Sequence, residues 1–288
     1  MAYKVMKTIL YGIRCCKMEA IKVATEYSGG GDPERTMALL WGTQKVPSRG
    51  PKPGLSVERV VRAAVGVADA EGLSALSMRR IAEGLGISTM SLYTYVPGKG
   101  ELVDVMLDAV MGEAVGTDGG MAGGWRERLE RVARRNWELH HRHPWTLQVA
   151  AVSRPPLGPN AIAKYDQELR AVDGIGLTDV EMDSVLILVL GHVEGAARRA
   201  TEAAEAERRT GKTDEEWWRS NAPLLEKVFD AERYPTAARV GPAAGEAYGA
   251  AYSPERAFEF GLQRVLDGVE ALVEARSAGS EQRRSGPV

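Results

Sequence analysis

The residues of this chain that could do chemistry fall into two groups far apart in sequence. The first is the imidazoles. Of four histidines in 288 residues, three stand in His140-His141-Arg142-His143, flanked by Trp137 and Trp145, and the fourth is His192. Imidazoles this close could hold zinc or move protons. On a helix, however, His140 and His141 point about 100° apart, and no carboxylate or cysteine completes a ligand set at metal spacing. Cys15 and Cys16 are adjacent, which gives neither a disulfide framework nor a spaced metal site. No HExxH, paired-carboxylate or nucleophile–base–orienter pattern occurs. No metal, cofactor or catalytic residue is therefore expected. The histidines read either as one core residue with a solvated pair, or as part of a small-molecule pocket. In the second reading Trp137, His141 and Trp145 lie at i, i+4 and i+8, and His192 joins them from a later helix.

The second group is Ser88-Thr89-Met90-Ser91-Leu92-Tyr93-Thr94-Tyr95. An idle surface helix carries Glu, Lys, Gln and Ala, which favour the helix and solvate well. Hydroxyls, a thioether and phenols instead suit a helix that must approach base edges. Thr89, Met90, Ser91 and Thr94 are short or flexible enough to enter a groove. Their hydroxyls can donate or accept, and methyl or thioether groups can meet a thymine methyl. Tyr93 and Tyr95 have the reach for flanking phosphates, and Lys99 opens the next helix, whose free N–H groups already attract anions. Arg79 can reach the groove edge, while Arg80 faces solvent or the backbone. Upstream, Arg49 and Lys52 sit in the extended basic arm PSRGPKPG. Singly, each of these is also ordinary surface or cap chemistry; the spacing joins them.

Charge supports the same division. The net charge is −2, yet residues 45–100 carry 8 basic and 4 acidic side chains whereas residues 101–288 carry 23 and 31. A basic head on an acidic body suits a protein that grips a polyanion with one end only. With 44% apolar and 26% charged residues, the bulk should fold. The longest aliphatic run, Val185 to Leu190, is far short of the roughly 20 residues of a membrane span. A cytoplasmic location without membrane contact is the expectation.

The elements that must position these groups are all helical. Asp32-Pro33-Glu34 has the form of a helix start. Ser56 caps a helix with Val57, Val60, Val61, Ala64 and Ala68 on one face, and Gly72 ends it. Ser77 caps a second helix, Ser88 a third, and a fourth begins near Gly98. The nine residues 116–124 contain five glycines and read as a hinge. Beyond it lie helices from Trp125 and Asn160, a long one from Thr178 and a last one from Pro254; Thr178 with Glu181 and Thr213 with Glu216 match the capping box. No segment shows sustained strand alternation. The expected division is 1–31 as an extension without assigned role, 32–54 as a short helix with the basic arm, 55–115 as a helix-turn-helix domain, 124–278 as a helical C-terminal domain and 279–288 as a disordered tail.

LSMRRIAEGLGISTMSLYTYVPGKGELVDVMLD resembles the DNA-binding region of the tetracycline-repressor (TetR) family. That pattern has a Leu-Tyr pair in a short recognition helix, an aromatic close behind and a lysine at the next helix start, matched by Leu92-Tyr93, Tyr95 and Lys99. His143-Pro144-Trp145, Arg154 to Asn160 and Gly176-Leu177-Thr178 are similar to the tetracycline-repressor type of C-terminal domain. The resemblance implies an all-α protein whose N-terminal three-helix helix-turn-helix domain precedes a ligand-binding and dimerisation domain. It further implies a homodimer that binds a palindromic double-stranded operator and is released by a small-molecule effector. Dimerisation would use the helices from Thr178 and Pro254, with Leu262, Val265 and Val269 at the contact. Gly191 and Gly195 would allow close approach there, or are incidental small residues in a packed helix. The rival readings are an effector-independent architectural protein, which needs a solid C-terminal core, and an enzyme built on the histidines.

Overall fold

A computed structural model describes residues 28–44, 55–116, 122–149 and 154–284. Residues 1–27 and the basic arm with Arg49 and Lys52 lie outside them. Among the described residues there are twelve α-helices and no strand. None of these helices is long and apolar enough to cross a membrane.

The N-terminal part is built from α1 (Pro33–Leu40), α2 (Val57–Glu71), α3 (Met78–Leu85), α4 (Thr89–Tyr93) and α5 (Lys99–Met111). Local chemistry starts each of the first four. The side chains of Asp32, Ser56, Ser77 and Ser88 accept the N–H of Arg35, Arg59, Arg80 and Ser91 respectively. At the end of α3 the chain turns through Gly86 at φ +65°. Gly86 N–H bonds Glu83 O at 3.2 Å and Ile87 N–H bonds Ala82 O at 3.0 Å, a Schellman closure that only glycine enters without strain. The tight turn swings α4 across α3. Leu92 and Val96 then pin α4 into a core with Val60, Ile81, Leu102 and Met106.

The C-terminal part comprises α6 (Trp125–Arg142), α7 (Thr146–Val149), α8 (Pro159–Leu169), α9 (Asp179–Thr210), α10 (Asp214–Glu226), α11 (Pro235–Tyr248) and α12 (Pro254–Arg284). Both expected capping boxes are present, at Thr178 and Thr213. Helices α6, α9 and α12 pack around Leu129, Val132, Leu186, Val189, Leu262 and Leu266. Two expectations are corrected here. Leu262 and Val269 are buried within the subunit's own core and Val265 is half-buried, so Leu262 and Val269 cannot face a partner. Helix α12 also continues to Arg284, into the stretch expected to be disordered.

Helix α5 starts where the sequence places it, after Gly98, and carries charge into the core. It is buried on nearly every side, and Glu101, Asp104 and Asp108 are buried with it. Each carboxylate is held by backbone or side-chain donors. Ser28 Oγ and Gly29 N–H donate to Asp104 Oδ1, both at 2.8 Å, and Asp32 N–H donates to Glu101 Oε1 at 3.1 Å. On the opposite side Ala161 N–H donates to Asp108 Oδ1 at 2.8 Å and Asn160 Nδ2 to Oδ2 at 3.0 Å. Residues 28–44 thus form a clasp over α5, extended to the body by Ser28 N–H on Val149 O and Trp41 Nε1 on Leu157 O. Leu139, Trp145 and Val149 in turn enter the head core. The glycine stretch joins two domains that also share a packed joint.

Candidate nucleic-acid interface and effector cavity

The outer face of α4 carries the expected residues at the surface. Met90 is 77% exposed and Tyr93 42%, with Thr94 beside them and Thr89 and Ser91 half-buried. Ser88 and Ser91 are partly spent on the fold: Ser88 Oγ accepts Ser91 N–H at 3.1 Å and lies 2.8 Å from Ser91 Oγ. Tyr95 packs against the head core, because Leu92 and Val96 hold α4 so tightly that the next turn lies on it. Arg79 is exposed on α3 with Nε on Glu83 at 2.8 Å. Arg80 is paired with Glu71 of α2 at 2.5 Å and braces α3 against α2. Lys99 is half-buried at the start of α5. Met90, Tyr93 and Thr94 are thus exposed on α4, and Arg79 on α3.

Between α5 and the C-terminal domain lies a cavity of about 460 Å³, in the range of drug-sized ligand sites. Its walls come from α5 (Leu107, Met111), α6 (Asn136, Leu139, His140), Thr146, the 155–157 loop, α8 and α9. Most of the surface is apolar. Three of the polar wall residues form one connected set: Lys164 pairs with Glu168 at 2.8 Å, and Asn136 Nδ2 donates to Glu168 at 2.6 Å. His140 is buried against Thr146, Nδ1 to Oγ1 at 2.9 Å. Desolvation, aided by the nearby charges of Lys164, His141 and Arg198, pushes its imidazole down to about 4, so it is neutral near pH 7.

None of the four residues expected to line a pocket borders this cavity. Three are brought together elsewhere: Trp137 stacks on Phe258 at 4.3 Å between centroids, His141 lies 4.2 Å from Trp137, and His192 stacks on Phe258 at 5.9 Å. With His192 Nε2 2.9 Å from Phe258 O, this is a packing stack that joins α6, α9 and α12. Trp145 is buried apart, its Nε1 donating to Asp69 Oδ1 at 2.8 Å. His143 Nδ1 reaches the same oxygen at 2.8 Å and its Nε2 faces Glu113 at 3.2 Å. The expected pattern of one core histidine and a solvated pair is corrected too, since His140 and His143 are both buried and His141 is exposed. The sequence reading missed Lys164, Glu168 and Glu194. An i, i+4 Lys–Glu pair has the pattern of a solvated face, and only burial marks it as a wall.

Residues 60–106 match the profile of bacterial regulatory proteins of the tetR family, and residues 120–273 match the tetracyclin repressor-like C-terminal domain. The chain belongs to the TetR family. It is a DNA-binding transcriptional regulator, and not an enzyme. It is 51% identical over 257 residues to the HTH-type transcriptional repressor DrrR1 of Streptomyces coeruleorubidus, covering 89% of this chain and 93% of that one. Two solved structures of the TetR family protein ActR from Streptomyces coelicolor are similar as well. The complex with actinorhodin gives a TM-score of 0.63 at 26% identity over 76% of this chain and 97% of that one. The complex with (S)-DNPA gives 0.60 at 26%, over 76% and 99%. Clasp residues 28–44 lie outside both matched segments of this TetR-family chain.

Proposed function

We propose that this regulator is a repressor that holds a palindromic operator as a homodimer and releases it when a small molecule fills the 460 Å³ cavity. The carrying observation is that α5 is shared. Its Leu107 and Met111 wall the cavity, while its Leu102 and Met106 lie in the core that anchors α4. Asp108 ties α5 to the first turn of α8, another cavity wall. A ligand that displaces α8 therefore displaces α5, and with it the separation of two recognition helices that must sit about 34 Å apart on a duplex. Only a ligand that binds the displaced state better shifts the equilibrium. ActR, similar in fold, has been solved with two different small molecules.

For DNA contact the proposal uses Arg79, Ser88, Thr89, Met90, Ser91, Tyr93, Thr94 and Lys99, with Tyr95 as support and Arg49 and Lys52 in the arm. For dimerisation it uses the outer stripe of α9, where Leu188, Gly191 and Gly195 follow at i, i+3 and i+7. Leu188 is 54% exposed and an added Cβ at Gly191 would meet nothing within 4 Å. To this the proposal adds Phe260 on α12, which is 66% exposed. Two such stripes meeting about a twofold axis form an isologous contact. A cavity of this size weighs against an architectural protein with a solid core.

The test is a titration of the purified protein against the duplex just upstream of its own reading frame, beside a scrambled duplex, at two salt concentrations. Preferential binding with a protected palindrome and a steep salt dependence is expected. Equal affinity for both duplexes would refute the reading.

A further inference from the structure

The cavity's polar wall is biased toward lone pairs. Lys164 Nζ bonds both oxygens of Glu168, at 2.8 and 2.9 Å. Asn136 Nδ2 donates to Val132 O and to Glu168, at 2.9 and 2.6 Å. Tyr165 gives its hydroxyl proton to Asp183 at 2.8 Å, and Thr146 gives its own to His143 O at 2.7 Å. A hydroxyl has one proton. His140 Nδ1 must therefore be the donor to Thr146 Oγ1, and His140 Nε2 is left as an acceptor. Apart from one N–H of Lys164, the remaining capacity is lone pairs on His140 Nε2, Asp183 and Glu194.

Glu194 is the exceptional group. It lines the cavity from α9, half-buried, and makes no hydrogen bond or ion pair among the described residues. The cations that act on it are Lys164, already neutralised by Glu168, and exposed Arg198. Burial raises its carboxyl above the ordinary value against the pull of both. A carboxylate so placed costs stability until a partner arrives. Around it the wall is aliphatic, with Leu107, Leu186, Leu190 and Pro155.

We propose that the effector is an amphipathic cation, an apolar drug-sized body bearing a protonated amine whose ammonium docks on the Glu194 carboxylate. This rests on the cavity being the effector site. A neutral donor would satisfy the lone pairs without neutralising the charge, and an anion would be repelled by Glu194 and Asp183.

Three probes with one fluorophore separate these cases: the dansyl sulfonamides of ammonia (neutral), ethylenediamine (ammonium) and glycine (carboxylate), whose emission brightens in an apolar site. The ammonium probe should bind about tenfold more tightly than the neutral one, as a charge-assisted hydrogen bond implies, and the carboxylate probe most weakly. Glu194→Gln should remove that preference, whereas Glu194→Asp should keep the order. Equal binding of all three, a preference for the carboxylate, or an ammonium preference that survives Glu194→Gln would overturn the inference while leaving the cavity a ligand site. Failure of every probe to bind would overturn both.

Discussion

Asp69 offers a sharp test of how head and body are joined. It lies on α2, and its Oδ1 accepts both His143 Nδ1 and Trp145 Nε1 at 2.8 Å from the corner between α6 and α7. Trp145 is 1% exposed, so Asp69→Ala strands a buried indole N–H, which costs about 1–3 kcal/mol. It also removes a charge-assisted bond to His143, discounted to about 1 kcal/mol because Asp69 itself is partly exposed. The sum is about 3 kcal/mol, or a melting midpoint lower by roughly 6–12 °C for a domain of this size. Asp69→Asn keeps one acceptor and should recover about half of the loss. Thermal unfolding by circular dichroism, at one protein concentration so that dimer mass action is constant, reads both. A midpoint for Asp69→Ala within about 1 °C of wild type, or no recovery in Asp69→Asn, would show that this joint contributes nothing.

Three further outcomes follow from the geometry. Tyr93→Phe should weaken every operator variant by a similar factor and lessen no base preference, as for a phosphate contact; footprint titrations that show a change at one base position would refute that role. An added Cβ at Gly100 would stand 2.9 Å from Gly31 N, so Gly100→Ala should cost about 1–3 kcal/mol by overpacking and open the clasp to proteolysis near residue 30; an unchanged melting midpoint would contradict it. His140 is held down to about 4 from an ordinary 6.5, chiefly by desolvation. The unfolded chain therefore binds the extra proton between those values, and the stability due to neutral His140 is complete above pH 6.5 and is lost as pH falls toward 4, up to about 3 kcal/mol. His140→Gln should flatten that acid limb in urea titrations, and an unaltered slope would count against the buried neutral ring.

The helix-turn-helix was legible because its signals are local. Ser77, Gly86 and Ser88 act on their own turns, and on one short helix Leu92 is buried while the adjacent Tyr93, about 100° away, is exposed. The capping boxes at Thr178 and Thr213 were legible for the same reason. The cavity was not, since aromatic spacing marks a helix face without saying which neighbour covers it. Trp137 and His141 do share a face, but Phe258, more than a hundred residues later, occupies it. The burial of the α5 carboxylates was not legible either. Glu101, Asp104 and Asp108 have the pattern of a solvated edge, and only the distant donors at Ser28, Gly29, Asp32 and Ala161 allow their burial.

The clasp also sets an order of events on the ribosome. Residues 28–44 leave the exit tunnel before the helix-turn-helix, yet their bonds end on Asp104, Val149 and Leu157. The DNA-binding head is complete in sequence by residue 115, but Asp108 of α5 then has no Asn160 or Ala161 to receive, and Trp145 has not arrived to fill its core. A nascent head therefore waits, with α5 partly uncovered, until about forty-five more residues have been made, roughly 2–9 s at 5–20 residues per second. A segment made before the head is thus fastened in part only after it, by residues of the body that follow the head in the chain.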